Sequence, residues 1–437
     1  MSSNASAQTK FTTAAAAGAQ TPTAKPPVQN RANEALPSWI RVRTEFRERM
    51  EHADSIGYTA SLRDTFWLSR LRLNTTIAAA RLLSFQIQVQ DARVAGKDVG
   101  AGGSPFSAPI DIRTAFADIG STTTPLSLRV GRQELVFGEQ RLVGHGNWLN
   151  AARSFDAARL TLRRPGIQVD AFAASVVRIL TQDWDESGNG NRFHGVHASA
   201  TRLVPRATIE PYLFWRKDTN QRTEAGTAGS LQVTTTGIRW AGQAGSSWEY
   251  GAETAFQTGS LGSDDVGAWA VHAKARTPAF GPSVRWSSEY NHASGDDDPT
   301  DGKRGTFDPL YPTAHDKYGL ADQVGWRNIH HLRTGVDITT ITGLPITLNY
   351  HSWWLASARD SLYLPSGASF ARVAAGAAGR HVGQEFDVQG SRSVTPHLQI
   401  AAGYSFIRPG RFLREATPGS SFNALFLMAT YVFLADR

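Results

Sequence analysis

Cysteine is absent from all 437 residues. Its absence excludes a disulfide framework and any thiolate metal site, and suits an envelope protein that folds without bridges. A long apolar run is missing as well. No stretch reaches the ~20 consecutive apolar residues of a spanning helix, so a helical membrane protein is not expected. A barrel strand needs only ~9–11 residues with every second one apolar, and it can hide in a polar-looking composition. Enzyme signatures are lacking: there is no Gly-x-Ser-x-Gly elbow, His-Glu-x-x-His pair, Walker loop or strand-linked Gly-x-Gly-x-x-Gly. We expect no enzyme and no cofactor. Helix-turn-helix, zinc-finger and RNA-binding signatures are also missing, which argues against nucleic acid as a partner. No repeat of 20–50 residues is present, which argues against a propeller or solenoid.

What the chain does have is alternation. In 126–135, Leu126, Leu128 and Val130 point one way and Ser127, Arg129 and Gly131 the other. In 155–163, Ala158, Leu160 and Leu162 oppose Arg159, Thr161 and Arg163. Period two is the strand signature. It recurs at 39–48, 65–75, 84–92, 231–240 and 248–257, and in further strands toward the end of the chain. Aromatic residues such as Trp248, Phe256, Trp269, Trp286 and Tyr290 sit on the apolar parity, where a barrel carries its lipid-facing belt. Segment 188–192 reads as a Gly/Asn turn. Segment 208–216 alternates but contains Pro211, which a closed barrel has no free edge to accept. Segments 95–109, 295–327 and 362–379 read as long loops.

The fold expected is all-β: a single transmembrane antiparallel up-and-down barrel of about 18 strands with long extracellular loops. It spans 38–437 and is expected to be monomeric and surrounded by outer-membrane lipid. Residues 1–37, rich in Ala, Thr, Ser, Gln and Pro, are expected to be a disordered tail or the remnant of a signal region. The alternative architecture is a soluble β-sandwich or β-helix.

Three stretches carry a resemblance. GRQELVFGEQRLVG followed by NWLNAARSFDAARL (131–160) resembles the signature of the alginate export family, as do 294–329 and PGRFLREATPGSSF (409–422). The resemblance implies an outer-membrane β-barrel that passes an anionic polyuronate, with Arg129, Arg132, Glu134, Arg141, Trp148, Arg153 and Asp156 shaping the constriction. It also implies periplasmic export proteins as partners.

Arginine sits repeatedly on the polar parity. The candidate lumen residues are Arg41, Arg43, Arg47, Arg70, Arg72, Arg129, Arg132, Arg141, Arg153, Arg159, Arg285 and Arg333. Arginine stays charged at any relevant pH and grips carboxylate with a planar fork. The bland reading pairs these arginines with Glu45, Glu134, Glu139, Asp156, Asp170, Glu249 and Asp337 simply to fill the barrel. Lys and Arg together number 45 against 38 Asp and Glu, so some positive charge is left over. Arg132 and Glu134 share the parity of Leu126; a bulge at Gly131 would turn them inward, and without one they lie at the rim. Asp296, Asp297, Asp298 and Asp301 form a weak candidate Ca²⁺ loop whose spacing does not match an EF-hand. The leading expectation is a channel for an anionic polysaccharide or oligosaccharide. The alternatives are a general or small-anion porin and a soluble β-rich binding protein.

Overall fold

The computed structural model describes residues 31–100, 102–223, 226–279, 281, 283–339 and 343–434. The tail expected at 1–37 therefore lies largely outside the described residues. Its last part holds a short helix, α1 (Arg31–Ala35), tied to the first strand by two hydrogen bonds between Asn33 and the Val42 backbone.

Eighteen strands form the wall. The first six are β1 (Ile40–Asp54), β2 (Arg63–Ala80), β3 (Leu83–Ala95), β4 (Ala108–Ile119), β5 (Leu126–Gln133) and β6 (Phe155–Arg164). Next come β7 (Ile167–Arg178), β8 (Glu186–Ala200), β9 (Ala207–Arg222), β10 (Ala228–Ala244), β11 (Trp248–Leu261) and β12 (Asp264–Pro278). The last are β13 (Val284–Ala293), β14 (Ile329–Thr339), β15 (Pro345–Leu355), β16 (His381–Ser393), β17 (Leu398–Pro409) and β18 (Phe422–Leu434). Each pairs antiparallel with the next, and β18 returns to β1 with Met50 opposite Leu427. Closure leaves no edge strand, so backbone groups in the bilayer pair along the strand-to-strand ladders of the wall.

The two parities separate as the alternation requires. Trp67, Leu71 and Leu73 of β2 are exposed while Arg70 and Arg72 between them are buried. Phe256, Trp269, Trp286, Leu427 and Phe433 are likewise exposed, and they form the apolar band that lipid covers. Connections differ at the two ends. One end has tight turns such as 81–82 and 165–166, and there β1 begins and β18 ends. The other carries the long connections 134–154, 294–328 and 356–380. In outer-membrane barrels the short turns are periplasmic and the long loops extracellular.

The long loops fold inward. Connections 134–154 and 294–328 run side by side, with Gly144 N–H on Tyr311 O at 2.8 Å and Tyr311 N–H on Leu142 O at 2.8 Å. Their apolar side chains meet inward-facing aromatics of the wall: Phe137 stacks on Phe172, and Tyr311 lies edge-on to Phe155 and Phe193. The loop-side half of the barrel interior is thus an apolar core, with Trp326 and Trp353 fully enclosed. The inward face is polar only in part, because loops cover the rest.

Two local expectations change. Segment 188–192 is not a turn but lies within β8, where Arg192 pairs with Ser175 and Asn191 with Asp218. Two flanking strands outweigh its weak local β propensity. Pro211 lies inside β9 with its ring outward, and the ladder to β8 is interrupted there, passing from His197–Tyr212 to Ala200–Ile209. The missing N–H falls in that gap. The helix α2 (Arg411–Ala416) closes the last loop, with Phe412 and Leu413 buried in the apolar core.

Candidate functional site: the lumen wall and its inner loops

The inward parity of β1 and β2 aims four arginines at one loop segment. Arg47 donates to the carbonyls of Asn147 at 3.0 Å and Trp148 at 3.1 Å. Arg70 donates to Asn147 O at 3.0 Å and pairs with Glu45 at 3.0 Å. Arg72 reaches Asn147 Oδ1 at 2.6 Å and Gln90 at 2.7 Å. Arg49 donates to Trp148 O at 2.6 Å, pairs with Glu51 at 2.7 Å and lies 3.8 Å over the Trp148 ring. Arg113 of β4 joins the cluster through Gln88 at 2.6 Å and Glu134. Burial, with Arg113 and Arg72 adding to it, pushes the loop imidazole of His145 below its ordinary value despite nearby Glu134.

A second cluster faces it from β10–β16. Glu139, on the inner loop, takes Lys274 at 2.8 Å, Arg239 at 2.9 Å and Arg141 at 3.5 Å. Arg141 also pairs with Glu289 at 2.8 Å and donates to Asn291 at 3.3 Å. Burial alone would raise the Glu139 carboxyl, but these cations hold it well below the usual range. A histidine chain runs on from there, with His331 on His351 at 2.9 Å and His351 on Asp387 at 3.0 Å. The 294–328 loop is latched beside it. Ala321 N–H donates to Glu385 at 2.8 Å, Leu320 N–H to Asp387 at 3.2 Å, and Trp353 Nε1–H to Tyr318 O at 2.9 Å.

The candidate residues fall into five groups. Arg47, Arg70 and Arg72 converge on the inner loop, and Glu134 turns in to Arg113 just past the end of β5. Arg129, Arg159 and Arg285 sit on the inward parity in single pairs with Asp118 at 2.7 Å, Asp170 at 2.9 Å and Glu249 at 2.8 Å. Arg333 lies 3.8 Å from Glu289. Arg141 and Arg153 belong to the loop itself. Arg153 binds Gly144 O at 3.0 Å and Pro312 O at 3.1 Å, stapling the two loops together. The fourth group departs from expectation. Arg132 and Asp156 pair at 2.9 Å on the outward parity, with Arg132 also holding Asp185 O at 3.0 Å. Gly131 has φ of 125°, yet the register runs through it unshifted on both sides, so no bulge turns these two side chains inward. Arg41 is exposed near the short-turn mouth and donates to Ile40 O at 2.7 Å, while Arg43 is exposed on the same parity.

Arg49 and Arg113 escaped the sequence reading. Extending the β1 alternation by one more step would have found Arg49. Arg113 lies in DIRTAFADI, whose pattern is blurred because both Arg113 and Thr114 turn inward at a register shift. The candidate Ca²⁺ carboxylates are engaged in turns. Asp296 accepts from the N–H groups of Gly305 at 2.7 Å and Asp298 at 2.9 Å, Asp298 from Thr300, and Asp301 from Lys303. Among the described residues no cluster is arranged to hold a metal ion. Calorimetric titration with Ca²⁺ is expected to give no heat of binding.

The sequence model described as alginate export matches residues 38–426, nearly the whole barrel. The chain belongs to the alginate export family. Solved barrels share its fold at low identity. OpdK of Pseudomonas aeruginosa superposes with a TM-score of 0.62 at 11% identity, covering 90% of this chain and 98% of that one. OpdO of the same organism gives 0.60 at 14% identity, over 92% and 98%. OpdK solved with vanillate gives 0.61 at 12% identity, over 90% and 98%. No curated protein matches by sequence at a significant level. As an alginate export family barrel, the chain is an outer-membrane channel of the bacterial envelope and not an enzyme.

Proposed function

We propose that this channel passes an anionic polysaccharide or oligosaccharide of the polyuronate type along the arginine wall of β1–β4. One observation carries the reading. Arg47, Arg49, Arg70, Arg72 and Arg113 outnumber the carboxylates they touch, Glu45, Glu51 and Glu134. Their remaining hydrogen bonds go largely to loop oxygens at 147–149. A neutral carbonyl is a weaker partner for guanidinium than a carboxylate. Carboxylates of a passing chain can therefore exchange with the loop carbonyls one at a time. Such a pore must hold each carboxylate weakly enough to release it to the next site. An Arg–carboxylate pair at ~5 Å and an effective dielectric near 20 is worth roughly 3 kcal/mol, and less in a wet lumen. No nucleotide motif is present, so passage is diffusive or driven by periplasmic partners.

Planar-bilayer reversal potential in a salt gradient tests this. The wild type should be anion-selective and blocked by tri-mannuronate. The double variant R70S/R72S should lose most of that selectivity and need about tenfold more trimer for half-block, a net loss of ~1.4 kcal/mol over the two arginines being a factor of ten. An unselective wild-type current would overturn the reading. The second reading, a small-anion porin, draws on the likeness to OpdK, which was solved with vanillate. It predicts that vanillate interrupts the current and the uronate trimer does not.

A further inference from the structure

The ends of β7, β8 and β9 border a half-open cavity of about 660 Å³ at the loop-side mouth, with Asn189, Thr219 and Asn220 exposed to solvent in it. That volume lies within the roughly 300–1,000 Å³ typical of small-ligand sites. Its polar lining comes from Asn189, Asn191, Asp218, Thr219, Asn220 and Gln221. We propose that this cavity is a saccharide subsite that reads sugar hydroxyls, at the mouth opposite the periplasmic turns. The inference rests on the saccharide cargo proposed above and extends it: the arginine wall addresses carboxylates, and this cavity addresses the rest of the sugar ring.

The hydrogen-bonding inventory carries the argument. Among the described residues Asp218 is the one carboxylate in the lining, and it is engaged. It accepts from Arg216 at 2.9 Å, from the Asn220 N–H at 3.1 Å and from Gln221 Nε2 at 2.8 Å. Asn191 accepts the Tyr311 hydroxyl on its Oδ1, which leaves its Nδ2 as a donor. Asn220 donates through Nδ2 to Asn189 O at 3.2 Å, which leaves its Oδ1 as an acceptor. Gln221 keeps Oε1 as an acceptor in the same way. The Asn189 amide and the Thr219 hydroxyl have no partner among the described residues. Donors and acceptors are therefore both open, and a sugar hydroxyl needs both, since it gives one hydrogen bond and takes others. A carboxylate would need donors alone. Arg178, also in the lining, is paired with Glu186 at 3.1 Å. Among the described residues no aromatic ring lines the cavity, so a flat aromatic acid finds no stacking face there.

The backbone is shaped for the same geometry. Gly190 has φ of +76°, and a Cβ there would lie 1.9 Å from Thr219 Oγ1. Only glycine at 190 lets the Thr219 hydroxyl sit beside the strand. Gly188, in the lining itself, adds no side chain to the cavity.

The test is calorimetric titration of the refolded full chain in detergent with maltotriose, a neutral trisaccharide that the arginine wall has no charge to hold. The wild type should bind it, and N189L/T219V should bind at least tenfold more weakly. Open current in a bilayer reports that the variant has inserted. Should it fail to insert, N220A, which removes the free Oδ1, takes its place. Absence of maltotriose binding in the wild type, or unchanged affinity in the inserted variant, would overturn the subsite. The reversal potential of the same preparations reports the anion reading separately. Anion selectivity without maltotriose binding removes the subsite alone. Maltotriose binding without anion selectivity removes the polyuronate wall and leaves the subsite in place.

Discussion

Replacing Arg141 by alanine should destabilise the folded barrel by about 3–5 kcal/mol, the usual cost of removing one partner from a buried ion pair. Arg141 is 3% exposed and stands between Glu139, 8% exposed, and Glu289, 5% exposed. Its loss strands carboxylate charge where water cannot reach. Glu139 keeps Lys274 and Arg239, while at ion-pair distance among the described residues Glu289 keeps Arg333 at 3.8 Å and the His272 ring at 3.6 Å. The double variant R141M/E289Q should recover much of the loss, because it removes both the charge and its unmet partner. Urea unfolding of the refolded protein in detergent measures both midpoints. A midpoint for R141A within experimental scatter of wild type would show that the cluster contributes nothing.

The same cluster sets an acid limit. The Glu139 carboxyl is held below its ordinary value, so its stabilisation is fully present above the unfolded glutamate pKa of ~4.3. It is lost as pH falls through the lower folded value. Wild-type unfolding midpoints should therefore stay flat from neutral pH to about 5 as far as this group is concerned, and fall below about 4.

Excising the inner part of the 294–328 loop should raise single-channel conductance several-fold. Replacing 311–324 by a short Gly-Ser linker removes Tyr311, Tyr318 and Leu320 from the interior. It also removes the backbone donors that dock on Glu385 and Asp387. The wall keeps its own strand-to-strand ladder, so the barrel should still insert. Apolar side chains packed across a lumen exclude water and ions, and removing them wets the passage. A gentler variant, E385Q/D387N, keeps the loop and loosens its latch. It should give flickering between a low and a high current level. Unchanged conductance after excision would mean that ions already pass beside the loop.

Parity was legible in the sequence, because it is written in neighbouring residues. Trp67, Leu71 and Leu73 against Arg70 and Arg72 need no knowledge of the fold to be sorted into two faces. That alternation, with the missing apolar helix and the missing cysteine, gave the barrel and its strand number. The signature at 131–160 gave the family. Arg132 and Asp156 show the limit of the resemblance: they follow the alternation faithfully, and only their likeness to a constriction motif suggested otherwise.

The interior was decided by tertiary structure. Arg47 meets the carbonyl of Asn147 a hundred residues away, and Arg141 meets Asn291 from 150 residues away. No local period records which loop will fold into the lumen. The aromatic residues of the inward face, Phe155, Phe172, Phe193 and Phe214, look like errors in the alternation until Phe137 and Tyr311 arrive to cover them. Side-chain direction along a strand is fixed by the chain's own stereochemistry, so the sequence determined the wall. The partners of those side chains are fixed by long-range packing, which the closed barrel alone brings about.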